Sequence, residues 1–427
     1  MNFISNLNTY LSKDFIESLL ESLDEKRTNS LILNTEKINK ETFIKMFPNI
    51  IEHDFLPNVF YYDKDEYEFG KSFLLFAGCY YIIDASSAIV SNLLDIKDGD
   101  YILDLCSAPG GKTISLLLYN KDKNFEVISN DLSHSRALEL SKNIERIGKS
   151  NVIVTNNDFS KIKNNYFETF DKIILDAPCS GSAMFRKNGL SKLDWTIEKV
   201  LSLQKTQISL LEDAITMLKE GGTIVYSTCS FSKEENEDVI NEVLKNHNDI
   251  HPVPIFENAK FYRDAALKES IHLFPNLYKG EGQFIALLKK DGMSNKKIKE
   301  IKLENPKYIK EYNLDFKREI ILKDKVYATN NLLNLKPLNL IRPGLEVFEI
   351  NKKILIPSFH LSHYLDSSTS IELNEDELKL YLHGDQITKD VKRKTGFYPV
   401  SYKSINVGFV KLVNNQLKNF YPKGLRH

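Results

Sequence analysis

The sequence predicts an α/β protein whose centre is a mainly parallel, doubly wound sheet. Three observations support this fold class. Short apolar runs alternate with stretches of helical periodicity between about residues 95 and 290. One of these runs passes into a glycine-rich loop that opens a helix, at residues 101–119. The composition, 42% hydrophobic and 27% charged, is that of a globular chain with a substantial core.

The alternation assigns the elements of the sheet. Strand candidates are residues 101–105, 125–130, 151–155, 172–176, 222–228 and 283–289. Helical stretches separate them near 111–119, 133–147 and 200–219, and Gly221-Gly222 is a C-cap signal for the last. Strand–helix alternation favours parallel pairing, so the carboxyl ends of the strands should share one edge, where ligands bind.

A chain of 427 residues exceeds one ordinary domain. We expect four parts: residues 1–94, 95–290, 291–335 and 336–427. The first is predicted to be helical to about residue 70, because apolar residues recur at helical spacing from Leu11 to Leu20. Its aromatic residues between positions 60 and 69 either pack as a small core or stack on bases. The third is a lysine-rich linker or subdomain, and the fourth a small β-rich domain.

Cysteine use and hydropathy predict a cytoplasmic protein. The four cysteines, Cys79, Cys106, Cys179 and Cys229, are widely spaced and form no CxxC pair, which favours reduced thiols over two disulfides in a secreted chain. No run of 18 apolar residues and no signal peptide is found, so no membrane partner is expected. No metal site is expected either.

The charge is unevenly distributed. The whole chain carries a formal charge of −1, yet residues 388–427 hold nine Lys or Arg against one Asp, a local net charge of +8. This tail either binds phosphates or forms a solvated basic face.

The glycine-rich loop predicts an adenosine pocket. The segment SAPGG at residues 107–111 lacks both the G-x-G-x-x-G pattern and the P-loop spacing, which leaves phosphate binding as the weaker alternative. Asp131 follows the next strand and can accept the ribose hydroxyls, and Asp158 follows the third strand and can accept from an adenine amino group. Acidic residues at successive strand ends without a pyrophosphate cradle match S-adenosylmethionine better than a dinucleotide.

Two thiols follow buried strands farther along. Cys179 lies in DAPCSG at residues 176–181, and Cys229 lies in STCS at residues 227–230. Both strand ends can face one pocket, and two thiols beside a nucleotide-type loop suggest covalent chemistry on a base.

These segments carry a resemblance to a known family. DLCSAPGGKT at residues 104–113, together with DAPCSG and STCS, resembles the Sun/Nop-type RNA (cytosine-5) methyltransferases in order and spacing. LIRPGL at 340–345 and LKNFYPKGLR at 417–426 resemble the RsmF/YebU-type bacterial ribosomal branch, which ends in a PUA-like RNA-binding domain. The resemblance covers roughly residues 55–427. One departure is Ile83, which stands where the branch usually has glutamine.

The resemblance implies a Rossmann-like class I methyltransferase core, an N-terminal RNA-binding extension and a C-terminal PUA-like β-rich domain. It implies that Cys229 attacks carbon 6 of cytosine, that Asp176 holds the base, and that Cys179 removes the carbon-5 proton. Lys112 either lowers a thiol pKa or holds the base. The cofactor-binding residues that it implies are Cys106, Ser107, Ala108, Pro109, Gly110, Gly111, Lys112, Asp131, Arg136, Asp158 and Asp176.

We therefore expect an S-adenosylmethionine-dependent enzyme, monomeric, that modifies 16S ribosomal RNA and does not act on DNA. Transfer RNA is the alternative substrate. A non-catalytic RNA-binding assembly factor is a second alternative, against which the presence of both Cys179 and Cys229 speaks. An amino-group methyltransferase would need an Asn-Pro-Pro-Tyr-like segment where DAPC stands at 176–179.

Overall fold

The computed structural model describes residues 2–186, 194–294, 301, 303, 305–311, 314–352 and 354–426. Part of the predicted lysine-rich linker, including residues 295–300, lies outside the described residues. No helix in the described ranges has the length and apolar character needed to cross a membrane.

The N-terminal part mixes helices and strands. Its helices are α1 (Phe3–Leu7), α2 (Lys13–Asp24), α3 (Lys40–Met46), α4 (Phe73–Phe76) and α5 (Ala85–Asn92). Its strands are β1 (Asn29–Leu33), β2 (Ile51–Glu52), β3 (Val59–Tyr62) and β4 (Tyr80–Ile82), which form one sheet in the order β2-β3-β1-β4. The prediction of a purely helical segment to residue 70 is therefore wrong. The three strands before residue 70 are two to five residues long, too short to leave a clear two-residue period.

The aromatic residues of this part form a core. Phe43 packs against Phe60, Phe69 and Tyr80, with ring centroids 5.8 to 5.9 Å apart. These rings are buried, which confirms the packing interpretation for Phe60 and Phe69.

The central part is the predicted α/β sheet. Its strands are β5 (Tyr101–Asp104), β6 (Glu126–Asn130), β7 (Val152–Thr155), β8 (Phe170–Asp176), β9 (Leu218–Thr228), β10 (Ile250–Val253), β11 (Ile271–Leu273) and β12 (Gln283–Lys290). Its helices are α6 (Gly111–Tyr119), α7 (His134–Ile147), α8 (Ile197–Met217) and α9 (Glu237–Asn246). The strands from β9 through β8, β5 and β6 to β7 are parallel neighbours, and β12 adds antiparallel to β9. Strand order reverses at β5, the position where such sheets bind ligands.

The glycine pair at 221–222 does not cap a helix. Helix α8 ends at Met217, and Leu218 is already extended at the start of β9. Gly221 has a φ of +73°, and a Cβ there would lie 2.9 Å from the carbonyl oxygen of Gly292. Gly221 lies in the part of β9 where the register with β8 shifts, since Phe170 pairs with Leu218 and Lys172 pairs with Thr223.

The C-terminal part is β-rich. Its helices are α10 (Tyr308–Glu311), α11 (Phe359–Tyr364) and α12 (Glu375–His383). Its strands are β13 (Arg318–Leu322), β14 (Lys325–Thr329), β15 (Leu340–Pro343), β16 (Leu345–Asn351), β17 (Ile354–Pro357), β18 (Ile371–Glu372), β19 (Ile387–Thr388), β20 (Gly396–Tyr402), β21 (Ile405–Val413) and β22 (Gln416–Asn419). Nine of these strands form two sheets, ordered β13-β14-β16-β17 and β18-β20-β21-β22-β19, and β15 pairs outside them.

Strand β15 ties the C-terminal part to the centre. It pairs antiparallel with β7 at the edge of the central sheet, with Arg342 opposite Val154. The Arg342 side chain is fully buried there and donates to the carbonyl oxygen of Lys149 at 3.3 Å. The segment that the sequence assigns to the last domain thus also extends the central sheet. The three predicted boundaries between the four parts stay a prediction.

Candidate active site

The glycine-rich loop leaves β5 at the point where strand order reverses. The backbone N–H and the hydroxyl of Ser107 both donate to the carbonyl oxygen of Asn130, each at 2.8 Å, which holds the loop against the end of β6. Gly110 precedes α6 with a φ of +110°, and a Cβ at this position would lie 2.8 Å from Leu140. Only glycine fits this turn without a shift of its neighbours.

Asp131 is buried at the end of β6 and lies against this loop. Its carboxylate accepts from the Ser133 N–H at 2.9 Å and from the Ala108 N–H at 3.3 Å. Arg136 lies 3.5 Å from the same carboxylate and donates to the carbonyl oxygen of Ala108 at 2.5 Å. Asp131 and Arg136 are therefore both held at the loop.

Asp158 is at the end of β7, but its carboxylate serves its own turn. It accepts from the Ser160 hydroxyl at 2.6 Å and pairs with Lys161 at 3.1 Å. The hydrogen bonds from Ser160, followed by the Lys161 charge, lower the pKa of Asp158. Asp158 follows a strand of the central sheet, as predicted, but its carboxylate contacts Ser160 and Lys161 of its own turn.

The two predicted catalytic thiols are in contact. Their sulfur atoms lie 3.1 Å apart, and both side chains are half-buried. The contact follows from strand register, because Asp176 of β8 is paired with Ser227 of β9 and each thiol comes two or three residues later. The hydrogen bond with Cys229, together with burial, raises the pKa of Cys179 well above its usual range. Two thiols this close cannot readily both lose a proton.

Asp176 and Lys112 form an ion pair beside the thiols. The Lys112 ammonium lies 2.7 Å from Oδ2 of Asp176, and the lysine side chain is only 10% exposed. Oδ1 accepts from the Ser227 hydroxyl at 2.8 Å and from the Gln283 amide at 3.2 Å. Burial opposes the charge on Lys112, but the neighbouring carboxylate outweighs it and the pKa of Lys112 is raised. The ammonium therefore stays charged at neutral pH.

The other two cysteines, Cys79 and Cys106, are not part of the thiol pair. Cys79 is fully buried under the N-terminal sheet, and burial raises its pKa to about 12. Cys106 is half-buried in the glycine-rich loop, and burial raises the pKa of its thiol as well.

A cavity of about 520 Å³ is lined by seven of the predicted site residues. The predicted site residues in its wall are Ser107, Ala108, Pro109, Gly111, Lys112, Asp176 and Cys229. Cys106, Gly110, Asp131, Arg136, Asp158 and Cys179 are not among the wall residues. The N-terminal part supplies the facing wall, including Arg27, Tyr62, Tyr81, Ile83 and Asp84. The cavity thus lies between the N-terminal part and the carboxyl ends of the central strands.

Sequence reasoning did not predict the contacts that Ser227, Gln283 and Ile83 make at this site. Ser227 and Gln283 hold Asp176, and Ile83 packs against Gly111, where a Cβ would come within 3.2 Å of its Cδ1. Gln283 is the first residue of β12, which runs antiparallel to β9. It therefore lies at the same edge of the sheet as the carboxyl ends of the parallel strands. The signal available in the sequence was a polar residue, Gln283, at the start of the predicted strand 283–289.

Two family models match the chain. The model described as 16S rRNA methyltransferase RsmB/F matches residues 91–289, and the model described as methyltransferase RsmF PUA domain matches residues 368–427.

Similar proteins cover nearly the whole chain. Ribosomal RNA small subunit methyltransferase F of Shewanella piezotolerans is 30% identical, over 99% of this chain and 96% of its own. The protein of the same name from Aliivibrio fischeri is 32% identical over 85% and 82%.

Solved structures match about two thirds of this chain. The methyltransferase homolog protein from Pyrococcus horikoshii is 27% identical, with a TM-score of 0.56, over 67% of this chain and 98% of that chain. NSun6 from the same organism, solved with SFG, has a TM-score of 0.59 and 20% identity over 68% and 98%.

Proposed function

Because the chain belongs to the RsmB/F family of rRNA methyltransferases, we propose that it methylates carbon 5 of a cytosine in 16S ribosomal RNA through a covalent cysteine adduct. The observation that supports the adduct is the pair of thiols 3.1 Å apart, beside the cavity that Asp176 and Lys112 line. The chain is an S-adenosylmethionine-dependent enzyme, as its family is.

The residues around the glycine-rich loop fit this cofactor. The Gly110 turn leaves no room for a side chain, and the buried Asp131 carboxylate is fixed beside the loop by backbone N–H groups. We assign residues 106–112, Asp131 and Arg136 to cofactor binding, with Asp158 at the margin of that group. When bound, S-adenosylmethionine supplies an electrophilic methyl group.

Cys229 is the better nucleophile of the two thiols. It lines the cavity, whereas the pKa of Cys179 is raised by its hydrogen bond with Cys229. The Cys229 thiolate forms a bond to carbon 6, and the electron pair of the 5,6 double bond moves to carbon 5. Carbon 5 thereby becomes nucleophilic enough to take the methyl group.

Asp176 and Lys112 hold the base. The charged Lys112 ammonium is a donor and Asp176 is an acceptor, and their 2.7 Å pairing keeps both at one side of the cavity. A cytosine ring presents an acceptor oxygen and a donor amino group on its pairing edge. Of the two roles that the sequence leaves open for Lys112, the ion pair favours holding the base.

Cys179 is suited to the final step. Once Cys229 has become a thioether it can no longer carry a negative charge, so the charge repulsion on Cys179 is removed. The Cys179 thiolate then takes the carbon-5 proton, the electron pair of that C–H bond restores the 5,6 double bond, and the Cys229 sulfur leaves as a thiolate.

The C-terminal five-stranded sheet supplies a surface for RNA. Phe397, Lys411 and Lys418 lie side by side on β20, β21 and β22, and Phe420 packs against Phe397 with ring centroids 5.2 Å apart. Cations beside aromatic rings bind single-stranded RNA through phosphates and base stacking. This arrangement favours phosphate binding over a merely solvated face.

Methylation of defined RNAs tests the proposal. The full-length chain is incubated with labelled S-adenosylmethionine and with 16S rRNA, small ribosomal subunits or transfer RNA, and modified cytosines are located by bisulfite sequencing. We expect 5-methylcytosine in 16S rRNA and none with Cys229→Ala. Modification of transfer RNA alone would reassign the substrate, and normal turnover by Cys229→Ala would remove the adduct.

A further inference from the structure

Beneath the two thiol loops lies a buried carboxylate that the chemistry above does not use. Glu235 is completely shielded from solvent, in the short turn before α9. A buried carboxylate is costly unless it is paired or fully hydrogen-bonded, so its partners indicate why it is there.

Those partners are the residues that directly follow each thiol. One oxygen of Glu235 accepts from the Ser180 N–H at 2.8 Å, and the other accepts from the hydroxyls of Ser180 and Ser230, each at 2.5 Å. Ser180 follows Cys179, and Ser230 follows Cys229. A single side chain thus connects both loops at a distance of one residue from the sulfur atoms.

Two further bonds complete the connection. Gln207 of α8 donates to Glu235 at 3.1 Å and to the carbonyl oxygen of Pro178 at 2.9 Å. The Tyr226 hydroxyl donates to the backbone carbonyl of Glu235 at 2.7 Å. Burial raises the pKa of Glu235, and the hydrogen bonds from both serines oppose that rise.

We propose that Glu235 is a positioning residue that holds the Cys179 and Cys229 loops in register, so that the two thiols stay in contact. This deepens the proposed function and rests on it for its role in catalysis, but the thiol geometry can be tested without RNA or cofactor. Glu235 acts through Ser180 and Ser230 and does not touch the substrate.

Disulfide formation reports the thiol geometry directly. Diamide oxidises two thiols that can approach to bonding distance, forming an S–S bond while the azo compound is reduced to the hydrazide and takes up both protons. In the wild-type chain we expect rapid formation of a Cys179–Cys229 disulfide, detected by peptide mass spectrometry. Glu235→Ala should slow it about tenfold or more, because displacement of reacting groups by about 1 Å can cost up to about a hundredfold.

Companion variants separate positioning from stability. Glu235→Gln keeps the size and one acceptor oxygen, so it should restore much of the oxidation rate. Ser230→Ala removes one bond from a single loop and should also slow oxidation, which keeps the test open if Glu235→Ala fails to fold. Glu237→Gln is the matched control, since Glu237 is equally buried in the same segment but bonds to His272 at 2.6 Å.

The turnover of the same variants links the geometry to catalysis. Glu235→Ala should lower kcat with little change in KM for RNA, because the substrate surface is intact. Wild-type oxidation rates in folded Glu235→Ala or Ser230→Ala would overturn the proposal, as would equal slowing by Glu237→Gln. If the wild type forms the disulfide but methylates no RNA, the proposed function fails and the positioning role stands.

Discussion

The chemistry at the level of single residues depends on which of two touching thiols is charged. With the sulfur atoms 3.1 Å apart, the two thiols cannot readily both lose a proton, and the raised pKa of Cys179 keeps that residue in its thiol form. In the proposed mechanism, bonding of Cys229 to the base removes this restraint, and Cys179 can then act as the base. The order of the two steps is thus a consequence of proximity.

Asp131 is the residue whose loss should affect the cofactor most specifically. Asp131→Ala removes a charged acceptor beside the glycine-rich loop, so the Kd for S-adenosylmethionine should rise about ten- to a hundredfold, corresponding to roughly 1.5–3 kcal/mol. Calorimetric titration measures it. The control is Asp122→Ala, a substitution of an exposed aspartate that pairs with Lys121. Equal Kd values for Asp131→Ala and the wild type would remove Asp131 from the cofactor site.

Asp104 should make stability fall with rising pH. It is fully buried at the end of β5, where burial raises its pKa to about 7 despite the hydrogen bond from Thr113. Between about pH 4 and 7 the folded chain keeps a proton that the unfolded chain has released, so the free energy of unfolding falls as the pH rises, by about 4 kcal/mol in total.

Asp104→Asn provides the comparison, because the amide does not titrate. Urea unfolding of both proteins at pH 4.5 and 7.5 should show the wild type losing stability relative to the variant as the pH increases. Parallel curves across this range would mean that Asp104 is ionised in the folded chain.

Among the elements, the turn from β5 into α6 tolerates least change. Gly110→Ala places a side chain at a φ of +110° and 2.8 Å from Leu140, so the loop must move away from α7. The left-handed conformation alone costs about 1–2 kcal/mol. We expect weaker cofactor binding and a lower Tm.

The matched control for Gly110→Ala is Gly424→Ala, since a Cβ at Gly424 meets nothing within 4 Å. Calorimetric titration and thermal unfolding of both variants compare the two positions. An unchanged Tm and Kd for Gly110→Ala would show that the loop can adapt.

Elements of the central sheet could be predicted from sequence because their strands are buried runs bounded by turn residues. Predicted and observed strands agree within a few residues for β5, β6, β7 and β12. The N-terminal strands could not, because each is short and its pairing depends on Phe43 and its aromatic neighbours. Strand β15 was missed as a member of this sheet because its partner, β7, is nearly 190 residues earlier.

For the candidate site, too, some features could be predicted from the sequence and others could not. Sequence order predicts that Cys179, Cys229 and Asp131 come to one edge of the sheet, since each follows a parallel strand. The contact between the thiols, the support of Asp176 by Gln283, and the Glu235 connection depend on strand register and on helix α8. No local pattern in the sequence encodes those distances, and the roles of the site residues stay predictions.

At the scale of the whole molecule, RNA should be held both at the cavity and at the C-terminal sheet. Lys411→Ala with Lys418→Ala should weaken RNA binding and reduce the slope of log K against log salt by about 1.4, as expected for two lost phosphate contacts on single strands. Cofactor affinity should not change.

Phe397→Ala, in contrast, should weaken RNA binding with little change in salt slope, because stacking is not screened. Lys379→Ala is the control, an exposed lysine of α12 that pairs with Glu375. RNA titrations at two salt concentrations distinguish these effects. Equal slopes for the double lysine variant and the wild type would exclude this sheet face as an RNA surface.

The central claim is that Cys229 forms a covalent adduct with a cytosine of 16S rRNA. Trapping that adduct tests the claim most directly, because the product contains both the nucleophile and the substrate. Cys179→Ala keeps the nucleophile but lacks the group that removes the carbon-5 proton. Incubated with S-adenosylmethionine and 16S rRNA, this variant should accumulate a protein–RNA species that survives a denaturing gel, and mass spectrometry should locate the link at Cys229. The double variant, Cys179→Ala with Cys229→Ala, should form none. An adduct in the double variant, or normal turnover without any adduct in Cys179→Ala, would contradict the account.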